Sequence, residues 1–188
     1  MSETLPPLAP TSGQTVGPFF GYALPYDGGE DLVARTHPAA VRLHGTVFDG
    51  AGTPIPDAIV EIWQADEHGV ISDKPGSLNR DGYTFTGFGR AATDGVGNYQ
   101  FTTVEPGRID GVGLPFIAMV VFSRGLLDKL HTRIYLPEYA AEFESDAVLG
   151  ALDPQRRATM AASRERDGSL LFNLHLQGEE ETVFLDFD

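Results

Sequence analysis

The chain has 188 residues, 41% of them apolar, no cysteine, and 27 acidic against 13 basic side chains for a net charge of −14. That is room for one domain with a sizeable core, and it excludes disulfides, thiolate metal sites and a cysteine nucleophile. So negative a surface repels nucleic acid and anionic membrane, which leaves two readings of the charge: solubility, or a partner chain with basic patches. No apolar run approaches the roughly 20 residues that span a bilayer, and MSETLPPLAP lacks the basic-then-apolar order of a signal peptide, so the expected location is the cytoplasm.

In chain order, residues 1–38 read as an N-terminal arm rich in proline and glycine. TVGPFFGYALPY (15–26) carries Phe19, Phe20, Tyr22 and Tyr26 among its glycines and prolines, so the arm is expected to pack on its own core or on a neighbouring chain. From residue 39 to 188 a single β domain is expected. VRLHGTVF (41–48) alternates with period two, placing Val41, Leu43, Gly45 and Val47 on one face. DGAGTPIPD is turn chemistry, DAIVEIWQAD (57–66) a second strand, and 67–82 a long polar loop. YTFTGFGRAATDGVGNYQFTTVEPG (83–107) reads as short strands around a glycine-rich turn. GLPFIAMVV (113–121), LHTRIYL (130–136), LLFNLHL (170–176) and ETVFLDF (181–187) complete about seven strands. That pattern predicts an all-β sandwich. The exception is DPQRRATMAASRE (153–165). Asp153 as N-cap and Pro154 at the first helical position predict one short helix there.

Motifs for chemistry are thin. GxSxG, a phosphate-binding glycine loop and HExxH are absent, and DGVGN is too short for a calcium loop. His44, His131 and His175 stand in predicted strands, where they either converge on one face or serve as separate hydrogen-bonded histidines. The acidic runs EFESD and GEEE read as solvated faces or caps. In LHTRIYL, period two puts His131, Arg133 and Tyr135 on one face. That row is either an anion-binding surface or the seat of an arginine paired with one of the many acids.

TSGQTVGPFF (11–20), HGTVFDGAGTPIPDAIVEIWQAD (44–66), GFGRAATDGVGNYQFTTVEPG (87–107), LHTRIYLPE (130–138) and QGEEETVFLDF (177–187) resemble the intradiol ring-cleaving dioxygenases across nearly the whole chain. Within them they resemble the non-catalytic (alpha) chains of the heteromeric members that cleave protocatechuate. The resemblance implies a β-sandwich. In the catalytic (beta) chains it implies a non-haem Fe(III) held by two tyrosines and two histidines. There protocatechuate and O2 react to give 3-carboxy-cis,cis-muconate.

This sequence departs from the catalytic pattern at every ligand. The HxH histidines of the GLPFIAMVV strand fall on Phe116 and Ala118. The tyrosine beyond the WQ motif falls on Ile71, and the one beyond VEPG falls on Ile109. A catalytic arginine falls on Gly113. The resemblance therefore implies an iron-free chain that is inactive alone. It would be joined to a catalytic beta chain in αβ units of a larger symmetric oligomer, with iron on the partner. Its implied contribution to the substrate-pocket wall is Thr15, Gly17, Pro18 and Arg133. Gly17–Pro18 reads alternatively as a plain turn, and Arg133 as an interface ion pair. Beside this stand a self-sufficient binding module and an enzyme with its own iron; the four replaced ligands oppose the latter.

Overall fold

The computed structural model describes residues 17, 19–74 and 81–187. Two sheets face each other. The first holds β1 (Val41–Phe48), β4 (Asn98–Thr103), β7 (Ser163–Arg164), β8 (Leu170–Leu171) and β9 (Leu174–His175); the second holds β2 (Ile59–Trp63), β3 (Phe88–Ala92), β5 (Phe116–Phe122) and β6 (Leu130–Tyr135). The first runs β4–β1–β8–β7, with β9 also on β1, and the second β3–β2–β5–β6. Alternation explains the sandwich. Val41, Leu43, Gly45 and Val47 of β1 are buried, and so are Ile117, Met119 and Val121 of β5. Their inward faces meet in one core with Val60, Ile62, Tyr99, Phe101, Ile134, Leu170 and Leu174. A second cluster under the 3₁₀ segment Pro137–Ser145 gathers Leu114, Tyr135, Phe143, Leu149, Met160 and Val183.

Glycine 45 is where the first sheet is closed. A Cβ there would lie 1.8 Å from the Phe172 carbonyl oxygen. The same oxygen accepts a 2.5 Å bond from the buried Tyr99 hydroxyl. This contact splits the expected 170–176 strand in two. Phe172 still donates its N–H to His44 (2.8 Å), but at Asn173 a side-chain oxygen takes the Thr46 N–H at 3.0 Å in place of a backbone carbonyl.

The predicted helix is also shorter than its sequence suggests. The α-helix Pro154–Ala158 starts as expected, with Asp153 accepting the Gln155 and Arg156 N–H groups. It stops because the following residues are wanted by the sheets. Met160 is buried and accepts the Tyr135 N–H, Ala162 donates to Tyr135, and Ser163–Arg164 pair with β8. Tertiary pairing outweighs the helix propensity of ATMAASRE, which is worth only tenths of a kcal/mol per residue. A second short helix, Phe20–Ala23, lies in the arm. Residues 181–187 form no strand. Thr182 and Val183 are both buried, which a period of two does not permit, and only Leu185 makes a single bridge, to His131.

Arm residues 29–33 clasp the open side of the sandwich. Gly29 accepts the Arg90 N–H, Glu30 and Thr102 are bonded, and Leu32 enters the core. Phe20 is buried beside Phe122, ring centroids 6.4 Å apart, while Phe19 and Tyr22 project outward.

Candidate functional site

The outer face of the second sheet carries the chemistry-bearing positions. Strand register sets them in rows. Trp63 pairs with Phe88 on one side and with Ala118 on the other, and Ala118 pairs with Arg133. The next row sets Phe116 opposite Tyr135, and the row on the other side joins Arg90, Glu61, Val120 and His131. Phe116 and Ala118 therefore stand side by side on this face, as the HxH spacing requires. The loops bearing Ile71 and Ile109 come to the same end of the sheet, where β2 ends at Trp63 and β5 begins at Phe116. They are pinned to each other: Gly107 donates to Asp66 at 2.7 Å. At Gly69, whose φ is +82°, a Cβ would sit 2.0 Å from the Arg108 carbonyl oxygen. Only glycine meets both demands. Ile71 is exposed, and Ile109 sits half-buried in the turn Ile109–Gly111.

Phe116 and Ala118 share one face of β5 and the loops of Ile71 and Ile109 are tied to each other, but the four side chains do not fit a ferric ion. Two isoleucines, a phenylalanine and an alanine offer no donor atom. Gly113, at the position of the catalytic arginine, adds no side chain; its carbonyl accepts from Arg108 at 2.6 Å. Among the described residues no group of three or more His, Asp or Glu side chains could hold a metal.

What the face does carry is an organised set of aromatic and cationic side chains. The Arg133 guanidinium lies over the Phe116 ring, 4.1 Å from its centroid. Its Nη1 reaches the Tyr135 hydroxyl at 3.5 Å, and that hydroxyl is 3.5 Å from Asp146. Both contacts are at the long limit of a hydrogen bond. Burial pushes the Tyr135 phenol above its ordinary value. The Asp146 charge adds to that rise and Arg133 opposes it. Along the face, the largely buried Arg90–Glu61 pair closes at 2.6 Å, and Arg90 also donates to the Leu24 carbonyl (2.8 Å), tying the arm to the sheet. Trp63 is half-exposed against Phe88, ring centroids 4.8 Å apart.

Of the expected pocket-wall residues, Gly17 is described. Its φ of +71° is a conformation that favours glycine, with open space where a Cβ would stand. Thr15 and Pro18 lie outside the described residues. The three strand histidines do not converge. His44 bonds Glu165 at 2.7 Å, His131 packs edge-on against Phe187, and His175 stacks on Phe48. The acidic runs are more than solvated faces: Glu142 pairs with Arg108 at 2.7 Å, and Asp146 caps the Val148 and Leu149 N–H groups. Sequence reasoning missed the Arg90–Glu61 pair and the contact between Phe116 and Arg133. Both depend on strand register, which no local motif states.

The model of the family described as dioxygenase matches residues 16–138. The chain is 36% identical over 195 aligned residues to the protocatechuate 3,4-dioxygenase alpha chain of Burkholderia cepacia, covering 95% of this chain and 98% of that one. It is 30% identical to the protocatechuate 3,4-dioxygenase beta chain of the same organism, covering 88% of this chain and 70% of that one. Among solved structures, the dioxygenase domain of a dioxygenase–carbohydrate-binding protein fusion from the cellulolytic bacterium Streptomyces sp. SirexAA-E matches 90% of this chain and 99% of its own, with a TM-score of 0.60 at 23% identity, a likeness of fold. A β-sandwich fold, a family match over residues 16–138 and relatives aligned along nearly the whole chain make this chain a member of the intradiol dioxygenase family, on the side of the protocatechuate 3,4-dioxygenase alpha chains.

Proposed function

We propose that the chain is the iron-free alpha subunit of a protocatechuate 3,4-dioxygenase, which opens the ring of protocatechuate with O2 between the two hydroxyl-bearing carbons. It would work only in an assembly with a beta chain of the same fold that binds the Fe(III). The observation that carries the reading is the likeness to the alpha chains along 95% of this chain, and it is supported by the residues at the positions that the resemblance implies for the ligands, Ile71, Ile109, Phe116 and Ala118, none of which has a donor atom. With no donor at any of these positions, the ring-opening chemistry is assigned to the partner.

What remains for this chain is to shape and charge the partner's pocket. Arg133 supplies a cation for the substrate carboxylate, and a guanidinium can hold a carboxylate through two N–H groups at once. The segment Thr15–Pro18 supplies the wall, with Gly17 in a backbone conformation that lets the chain approach a ligand closely. The exposed Phe19 and Tyr22 next to it suit a buried contact with the partner. The net charge of −14 favours a partner surface with basic patches.

The test is production of the chain alone and together with a beta chain, followed by metal analysis and a protocatechuate cleavage assay. The expected outcome is no iron and no cleavage for the chain alone. With the partner, about one ferric ion is expected for each pair of chains, along with full activity. A full complement of iron in the chain alone overturns the reading. So does failure to associate with any beta chain, which would leave a self-sufficient binding module.

A further inference from the structure

Arg133 differs from most of the described arginines of this chain. Arg90, Arg108, Arg124, Arg156, Arg157 and Arg164 each have a carboxylate within ion-pair distance. Among the described residues no carboxylate lies within 4.0 Å of Arg133, although acids outnumber bases two to one. Asp146 is held one phenol away, behind the Tyr135 hydroxyl, and is occupied by the Val148 and Leu149 N–H groups at 2.9 and 3.0 Å. The guanidinium rests instead on the Phe116 ring.

Register explains how it gets there. Directly across from Arg133 is Ala118, whose side chain ends at Cβ and leaves the guanidinium free to fold along the sheet. The diagonal neighbour on the same face is Phe116, within reach of a long side chain. Phe116 is itself held: its ring lies 6.1 Å from that of Tyr135 and packs on the second apolar cluster. An aromatic face attracts a cation without neutralising it. It occupies the flat face of the guanidinium, and the N–H edge, the part that grips a carboxylate bidentately, is engaged by the long 3.5 Å contact of Nη1 with the Tyr135 hydroxyl and by no carboxylate among the described residues. An ion pair would use up that edge.

We propose that Phe116 is the positioning residue of Arg133, seating the guanidinium so that its N–H edge meets the carboxylate of the aromatic substrate. The replacement at Phe116 is then a gain as well as a loss, since the ring at a former ligand position holds the charge this chain brings to the pocket. The inference rests on the assignment of Arg133 to the substrate pocket.

The test uses the assembled, iron-loaded complex with four variants of this chain: F116L, F116Y, R133A and the double variant F116L/R133A. Protocatechuate is compared with catechol, which has no carboxylate. F116L is expected to raise KM for protocatechuate about three- to tenfold, the range of one partly desolvated cation–aromatic contact, while kcat, iron content and KM for catechol stay near the parent values. F116Y, which keeps the ring, restores the parent KM, and F116L adds nothing in the R133A background. Should F116L fail to assemble, F116M, of similar volume and without a ring, gives the same reading. An equal rise in KM for catechol overturns the proposal, and so does an F116L effect that persists without Arg133. If R133A raises KM while F116L and F116M leave it unchanged, the seat fails and the assignment of Arg133 stands. If R133A changes nothing, that assignment fails and takes the seat with it.

Discussion

At residue scale, two groups show how one side chain can serve the pocket or the fold. Arg133→Ala removes the guanidinium that stands opposite Ala118 on the outer face. In the complex it is expected to raise KM, or lower kcat/KM, for protocatechuate with iron content near normal. Unchanged steady-state kinetics between about pH 6 and 9, where the guanidinium is charged throughout, reduce it to a structural residue. Tyr99 is the opposite case. Its hydroxyl is buried against Gly45 and gives its proton to the Phe172 carbonyl. Tyr99→Phe leaves that carbonyl unpaired in the core and is expected to cost about 1–3 kcal/mol. A urea unfolding curve of the complex-free chain checks it, with the midpoint falling and the slope unchanged.

At the scale of elements, the pair between β2 and β3 joins sheet to arm. Glu61→Ala strips the largely buried Arg90 of its carboxylate and leaves a charge facing Phe88 and Tyr26. Removal of one partner from such a pair costs about 3–5 kcal/mol, and the loss is expected to show as early melting with release of the segment around Leu24, read by limited proteolysis. The strands that alternate cleanly, such as β1 and β5, were legible in the sequence because a period of two with one buried face has a single solution. The segments that went astray were those claimed by distant partners. Residues 159–164 have helical propensity but are drawn out by Tyr135 and β8, and 172–173 are bent by Gly45. For the candidate site, the resemblance supplied a set of positions. Its working geometry, in which Phe116 lies under Arg133, was not, because a diagonal contact exists only once the registers of β5 and β6 are fixed.

For the whole molecule, acidity and β-topology set the conditions of stability. Several carboxylates are held below their ordinary values: Glu138 by Arg164, Glu165 by Ser169 and then His44, Asp94 by the Asn98 and Val96 N–H groups, and Asp81 down to about 2 by Thr84. A depressed folded-state value means stability that is present above the unfolded value and lost as pH falls through the folded one. The melting temperature is therefore expected to be level near neutrality and to fall below about pH 4.5, the ordinary carboxylate range. At the alkaline end the sign reverses. Burial raises the Tyr135 and Tyr99 phenols, so the stability they contribute is present below about pH 10 and drains away as pH rises above it. Thermal scans across pH check both limbs. The pairing of β1 has another consequence. One of its edges is met by β4, but the other waits for β8 and β9, with Thr46 bonded to a residue 127 positions further on. During synthesis that edge stays open until residues 170–175 have left the ribosome, and an open edge is a template for pairing with the wrong strand. The newborn chain is thus most exposed to misassembly at the strand that later becomes the centre of its first sheet, and the emergence of β8 and β9 is the event that makes it safe.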